Sequence, residues 1–137
     1  MFDFGSPTTY LAHTQLPRIA RETGARVDYV PMLLGGVFKA TGNQSPVTGA
    51  GQGPLDGRRP RALGARRYGV PFTFNPHFPI NTLTLMRGAV GSADAAARSL
   101  HARMSTPCSA AMWVEPVRTW ATRSWLARRW AQAGFDA

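Results

Sequence analysis

The stretch MFDFGSPTTYLA, residues 1–12, combines the end of a strand, a turn and the start of a helix. Residues 2–4 are apolar enough to be the end of a short buried strand, and a helical pattern begins directly after GSP at residues 5–7. Pro7 suits the first turn of a helix, because the N–H that proline lacks is unpaired there in any case. The stretch therefore predicts a βα junction that places a lone serine, Ser6, at the turn.

The next residues extend this junction into a strand–helix–strand unit. Residues 7–23 follow a helical pattern, and Gly24 is a natural stop signal after it. Residues 27–34 are rich in branched side chains and predict a second strand, which we expect to end at Gly35-Gly36. Because the links are short, the unit should be parallel and right-handed.

The chain beyond residue 35 predicts loops and helices. FKATGNQSP, residues 38–46, predicts a polar loop rich in turn residues, and residues 65–69 predict a helix end with a glycine cap. VPFTFNPHFP, residues 70–79, has three prolines in ten residues and predicts an extended connector. Asn81 is then expected to cap a helix that begins TLTLMRGAV. The predicted fold class is α/β, with one parallel unit followed by a helical region.

Composition narrows the class of protein. Apolar residues make up 44% of the chain, which is enough for a packed core, and no apolar run approaches the roughly 20 residues of a membrane span. The N-terminus lacks the basic and apolar regions of a signal peptide. The single cysteine, Cys108, excludes an intrachain disulfide and a cysteine metal cluster. We therefore expect a soluble cytoplasmic protein that binds no metal and no membrane.

Five blocks of the sequence together resemble the 2-hydroxychromene-2-carboxylate isomerases, relatives of kappa-class glutathione transferases and DsbA-type oxidoreductases. The blocks are FDFGSPTTYLAHTQLPRIA at 2–20, PMLLGGVFKATGNQSPV at 31–47, RRYGVPFTFNPHFPINTLTLMRGAV at 66–90, AMWVEP at 111–116 and AQAGFDA at 131–137. They occur in the family's order and spacing. The resemblance implies a thioredoxin-like fold of the DsbA and kappa glutathione transferase type, with a partial βαβ unit at residues 1–34 and an α-helical insertion domain at residues 35–137.

The same resemblance implies a site and a reaction. Glutathione binds beside the first helix in this family, and Ser6 occupies the position where disulfide oxidoreductases carry their reactive cysteine. A hydroxyl at a helix N-terminus can donate a hydrogen bond to the glutathione sulfur and favour the ionised form, which is the nucleophile. The thiolate would add to a conjugated double bond of the substrate and later be expelled. The implied reaction converts 2-hydroxychromene-2-carboxylate to trans-o-hydroxybenzylidenepyruvate in aromatic-compound catabolism.

Two further residues match family positions near the bound glutathione and substrate. Lys39 could hold a carboxylate, and the Asn43 amide could polarise the keto-acid end of the substrate. Each candidate also has a simpler interpretation, which the sequence leaves open. Ser6 could be only the cap of its helix, Lys39 only a solvated lysine, and Asn43 only a turn residue.

Three stretches depart from the family pattern, at residues 49–64, 91–110 and 118–131, and each lies between matching blocks. Codons can be chosen so that GPLDGRRP, residues 53–60, reads GRWMAADL in an adjacent frame, which suggests reading-frame slips that later correct themselves. These stretches hold nine of the sixteen basic residues and two of the seven acidic ones. The remaining seven basic and five acidic residues give a net charge of +2, against +9 for the chain.

The resemblance implies two more strands and a final helix beyond AGFDA, residues 133–137, so we expect the C-terminal half of the thioredoxin domain to be missing from this sequence. Without those strands we expect the chain to fold poorly or to associate with other chains, for instance as a homodimer. Alternatives to the isomerase are a kappa-like glutathione transferase, a DsbA-family oxidoreductase, a non-functional fragment and a basic nucleic-acid-binding protein. The absence of CxxC counts against the oxidoreductase. The lead interpretation has glutathione and a small aromatic catabolite as partners, and no nucleic acid.

Overall fold

The structure of the protein is a computed structural model that describes residues 1–44, 58–91, 108–115 and 128. Among these residues there are four named helices: α1 (Pro7–Thr23), α2 (Leu34–Thr41), α3 (Arg58–Tyr68) and α4 (Leu83–Gly91). Residues 108–113 are also helical. Helix α1 packs against α3, so the N-terminal helix is in direct contact with the helical region that follows it.

Helix α1 begins and ends where the sequence predicts. Ser6 is its N-cap, and the Ser6 side chain accepts a hydrogen bond from the Thr9 N–H at 3.3 Å. Pro7 occupies the first turn, where a missing N–H costs nothing. The helix ends at Gly24, whose φ of 70° is left-handed and would strain a residue with a Cβ. The predicted helix over residues 7–23 is confirmed.

The two predicted strands meet at one parallel bridge, between Phe2 and Pro31. The Phe2 N–H donates to the Val30 carbonyl and the Met32 N–H donates to the Phe2 carbonyl, both at 2.9 Å. This is the hydrogen-bond pattern of a parallel pair. In the described ranges the bridge is isolated and is part of no named strand, so the predicted βαβ unit is present only as this minimal pairing around α1.

The predicted second strand over residues 27–34 is wrong apart from the single bridge at Pro31, and the predicted stop at Gly35-Gly36 is also wrong. Leu34 begins α2, and both glycines lie in its first turn. The predicted loop from residue 38 is also wrong in part, because the helix continues to Thr41. The physical reason is a remote cap, since the Leu34 N–H donates to Asp3 Oδ2 at 2.7 Å. The expected stop signal therefore lies inside a helix whose start is stabilised from another part of the chain.

The described core joins residues from distant parts of the sequence around Trp113. Trp113 is 0% exposed, and its Nε1–H donates to the Phe4 carbonyl at 3.0 Å. Its ring is stacked with that of Phe72, with centroids 6.0 Å apart. The other buried residues of this cluster are Phe2, Tyr10, Leu11, Ala65, Leu85, Met86, Ala89, Cys108 and Met112. The helical residues 108–113 are thereby fixed against the βα junction.

The predicted connector over residues 70–79 has no regular secondary structure and is held by polar contacts. The buried Asn75 donates from Nδ2 to the Met112 carbonyl at 3.3 Å, and its Oδ1 accepts from the His77 N–H at 3.0 Å. These bonds satisfy an amide that would otherwise be costly to bury. They also fix the path of the chain as it approaches α4.

Helix α4 starts close to its predicted position. Asn81 Oδ1 accepts from the Leu83 N–H at 3.0 Å, so the Asn81 side chain satisfies the first N–H of the helix, although the N-cap position is Thr82, one residue later than predicted. The Thr82 carbonyl accepts from the Met86 N–H at 2.9 Å and begins the helical ladder. Within the described residues, no helix has both the length and the hydropathy needed to cross a bilayer.

Several predictions fall on parts of the chain outside the described residues. Most of the three aberrant stretches lies there, apart from the start of α3, Gly91, residues 108–110 and residue 128. The reading-frame hypothesis therefore stays a prediction. The division into domains between residues 34 and 35 lies within the described residues and also stays a prediction, as does the family's continuation beyond residue 137.

Candidate functional site

A cavity of about 370 Å³ lies between the βα junction, the start of α2 and the segment that precedes α4. Its apolar lining is Leu33, Leu34, Phe38, Phe78, Pro79 and Ile80, and its polar lining is Asp3, Asn81 and Thr82. Small-molecule sites typically measure about 300–1,000 Å³ and combine apolar walls with a few polar groups. The size and the lining therefore make this cavity the candidate ligand site.

The buried carboxylate of Asp3 connects the three walls of the cavity. Asp3 is 3% exposed, and its Oδ1 accepts from the Gly5 N–H at 2.8 Å and from the Thr82 hydroxyl at 2.7 Å. Its Oδ2 accepts from the Leu34 N–H at 2.7 Å. Three donors from three separate segments thus satisfy one buried carboxylate.

Gly5 allows the backbone of the βα junction to lie directly against this wall. A Cβ built on Gly5 would lie 2.9 Å from Thr82 Cγ2 and 3.3 Å from Asp3 Oδ1. The first of these distances is shorter than ordinary van der Waals contact, so any larger residue would push the wall outward. The absence of a side chain at Gly5 is therefore needed for the observed packing.

Ser6 follows Gly5 at the N-cap of α1 and is half-buried. Gly5 lines the cavity, whereas Ser6 is not among its lining residues. A serine hydroxyl that accepts one hydrogen bond, here from the Thr9 N–H, keeps its own proton to donate elsewhere. The capping role is observed, and it is compatible with a second role as a donor, which stays a prediction.

Lys39 and Asn43 lie at the far end of α2 from the capped start at Leu34. Lys39 is in the last turn of the helix, and Asn43 follows the C-cap Gly42, whose φ is 67°. Both residues are exposed, and neither is among the lining residues of the cavity, although the neighbouring Phe38 is. Ser6 and Lys39 are therefore each next in sequence to a residue that lines the cavity, and none of the three candidate residues lines it directly. Their roles stay predictions.

Asp3 and Thr82 are the polar residues that the sequence interpretation missed. Thr82 is separated from Asp3 by 79 positions, so no local pattern connects them. A signal did exist at Asp3, because an acid between two phenylalanines in FDF would be costly to bury unless it were hydrogen-bonded. The sequence therefore indicates that the Asp3 carboxylate has a hydrogen-bond donor, but it does not identify that donor.

A second pair of polar side chains lies beside a smaller cavity of about 110 Å³. His13 Nδ1 and the Tyr29 hydroxyl are 2.9 Å apart, and both residues line this cavity. Burial lowers the pKa of His13 and raises the pKa of the Tyr29 phenol. Within the described ranges, no three His, Cys, Asp or Glu side chains are grouped as a metal site.

The stability of the fold should fall as the pH drops below about 6.5, because the His13 imidazole is then protonated in the unfolded chain before it is protonated in the fold. Burial lowers the pKa of His13 in the fold, whereas the unfolded chain keeps the ordinary value of 6.5. Between these two values the unfolded chain binds more protons, so the stabilisation is present above the unfolded pKa and is lost as the pH falls. Thermal denaturation between about pH 8 and pH 5 should show a smaller loss for His13→Gln than for the wild type. Equal losses of stability in the two proteins would contradict the assignment of this pH dependence to His13.

Comparison with known proteins identifies the family of the chain. The sequence model of the DSBA-like thioredoxin domain matches residues 1–137, and the chain belongs to this family. Over 45 residues it is 44% identical to a 2-hydroxychromene-2-carboxylate isomerase of Sphingobium xenophagum, a match that covers 33% of this chain and 23% of that protein. No solved structure matches the chain. The predicted relationship to the DsbA-like thioredoxin proteins is confirmed.

Proposed function

We propose that this protein is a glutathione-dependent isomerase that converts 2-hydroxychromene-2-carboxylate to trans-o-hydroxybenzylidenepyruvate during aromatic-compound catabolism. The main support is that Ser6 is the N-cap of α1 and directly follows Gly5, which lines the cavity. Membership of the DSBA-like thioredoxin family supports a site at this helix start. The partial match to an isomerase supports the choice of reaction.

The residues around the cavity fit a peptide thiol. Gly5 and Gly35 line the cavity, and a Cβ built on Gly35 would meet no atom within 4 Å. The open space at Gly35 allows a peptide to approach the backbone there, and the amides of the peptide need hydrogen-bond partners. The apolar walls suit the aromatic ring of the second ligand. When bound, glutathione supplies a sulfur that adds reversibly to a conjugated double bond.

Ser6 is proposed to favour the ionised form of the cofactor's thiol. Its hydroxyl donates a hydrogen bond to the sulfur, and such a bond to the charged form lowers a pKa. The N-terminus of α1 adds a partial positive charge, which is worth about 0.3–1 kcal/mol near a surface. Because the thiolate is the nucleophile, both effects raise the reactive fraction at neutral pH.

Lys39 and Asn43 are proposed to act on the polar end of the substrate. The Lys39 ammonium group would hold the carboxylate, and the Asn43 amide would polarise the keto group. Phe38, which precedes Lys39, and Phe78 provide apolar surface inside the cavity for the ring. This division of roles follows the mostly apolar lining of the cavity and the exposed position of the two polar residues.

Direct conversion of the substrate tests the proposal. The full chain is mixed with 2-hydroxychromene-2-carboxylate, and the approach to equilibrium is followed by absorbance. We expect conversion with glutathione and none above background with S-methylglutathione, which has the same shape but no ionisable thiol. Background conversion in the presence of glutathione would contradict the proposed function.

A further inference from the structure

Asp3 has no part in the proposed chemistry, yet it forms more connections than any other polar side chain described at the site. Its carboxylate bonds to donors that lie two, 31 and 79 positions away along the chain. Its backbone also contributes, because the Asp3 carbonyl accepts from the Ser6 N–H at 3.0 Å. We call Asp3 with its donors Gly5, Leu34 and Thr82 the Asp3 clamp.

Each bond of the Asp3 clamp fixes a different wall of the cavity. Gly5 belongs to the βα junction, Leu34 is the first residue of α2, and Thr82 directly precedes α4. Hydrogen bonds to a carboxylate are shorter and stronger than neutral ones, and a buried donor that loses its acceptor is costly. The clamp therefore resists separation of the three segments.

The clamp acts at the residue next to Ser6. The Gly5 N–H is held by the Asp3 side chain and the Ser6 N–H by the Asp3 carbonyl, so two consecutive peptide groups are fixed by one residue. Gly5 also lies close enough to Thr82 that a Cβ at this position would be only 2.9 Å from Thr82 Cγ2. The position of the Ser6 hydroxyl relative to the cavity is thus determined through Asp3. Misplacing a group by about 1 Å can lower a rate about 100-fold.

We propose that Asp3 is a positioning residue. Through its bonds to Gly5, Leu34 and Thr82 it holds Ser6 in a fixed position relative to the α2 and α4 walls of the cavity. The effect on turnover rests on the proposed function, whereas the effect on the three walls does not. Two independent measurements therefore separate the two claims.

Amide hydrogen exchange tests the clamp without any ligand. Asp3→Asn replaces one acceptor oxygen by an NH₂ group, and exchange at Gly5 or Leu34 should become about tenfold faster. The Val114 amide, bonded to the Ala110 carbonyl at 2.8 Å and outside the clamp, reports global opening and should exchange at its wild-type rate. Unchanged exchange at both clamp amides, or an equal increase at Val114, would overturn the proposal.

Thr82→Val provides a second variant in case Asp3→Asn does not fold. It removes the hydroxyl that donates to Asp3, whereas Thr82→Ser keeps it. The matched control is Thr41→Val, which removes an exposed hydroxyl at the other end of α2 that bonds to the Val37 carbonyl. Thr82→Val should accelerate exchange at the Gly5 amide, and the other two variants should not. Equal behaviour of Thr82→Val and Thr82→Ser would overturn the role of the hydroxyl bond.

Turnover with glutathione provides the functional readout. Thr82→Val should lower kcat about tenfold, and Thr82→Ser should stay within about twofold of the wild type. If the substitutions acted only by reducing the amount of folded protein, the apparent kcat of each variant would fall in proportion to the decrease in its melting temperature. If the wild type itself shows no turnover, the proposed function fails, and the exchange rates at Gly5 and Leu34 still decide the clamp.

Discussion

Replacing Trp113 with alanine should lower the free energy of unfolding by about 3–5 kcal/mol. The side chain is fully buried, and its ring lies 5.9–6.1 Å from those of Phe72, Phe74 and Phe78. The substitution leaves a large apolar cavity and removes the donor to the Phe4 carbonyl. Because small domains have a total stability of roughly 5–15 kcal/mol, this one change would remove much of it.

Denaturant unfolding measures this loss, and two variants serve as controls. Trp113→Phe keeps an aromatic ring but leaves the Phe4 carbonyl without this donor, so it should cost less than the alanine variant. Tyr68→Ala removes an aromatic ring that is 46% exposed, and its cost should be within about 0.5 kcal/mol of zero. A Trp113→Ala variant as stable as Tyr68→Ala would contradict the central position of Trp113 in the core.

Ser6→Ala should lower kcat/KM for the proposed isomerisation about 100-fold, the size of effect seen when one preorganised hydrogen-bond donor is removed from an active site. The variant also loses the N-cap bond to the Thr9 N–H, which should cost about 1 kcal/mol of stability. The loss of activity and the loss of stability differ in size and are measured by different experiments. Steady-state kinetics report the first, and thermal denaturation reports the second.

Two further substitutions at this position separate donation from capping. Ser6→Asp keeps a good N-cap acceptor but has no proton to donate, so it should be stable and as slow as the alanine variant. Ser6→Thr keeps the hydroxyl and should retain most of the activity. Wild-type turnover in Ser6→Ala would remove Ser6 from the mechanism and leave it only the capping role.

The parts of the fold that the sequence predicted correctly depend on neighbouring residues. Ser6, Pro7 and Gly24 define helix α1 because caps and turn residues act within a few positions. The start of helix α2 was not predicted, because it depends on a residue that is distant in the sequence. Its first N–H is satisfied by Asp3, 31 positions away, and that bond overrides the usual meaning of Gly35-Gly36 as a stop.

The candidate site shows the same division between local and remote signals. The place of Ser6 at the start of a helix follows from residues 1–12 alone. The cavity beside it does not, because one of its walls comes from residues 78–82, which have no periodic pattern. The bond between Thr82 and Asp3 likewise depends on how distant segments pack. The sequence pattern therefore placed the Ser6 hydroxyl at a helix start, the family resemblance made it a candidate, and only the three-dimensional structure shows the cavity nearby.

A pH titration of bound glutathione, followed by the ultraviolet absorbance of the thiolate, is the sharpest test of the role assigned to Ser6. In the wild type the pKa of the bound thiol should lie clearly below about 8.5, the usual value for a cysteine thiol. In Ser6→Ala it should be higher by about one unit, the equivalent of roughly 1.4 kcal/mol from one lost hydrogen bond. The same pKa in both proteins would contradict the proposal that this hydroxyl stabilises the thiolate.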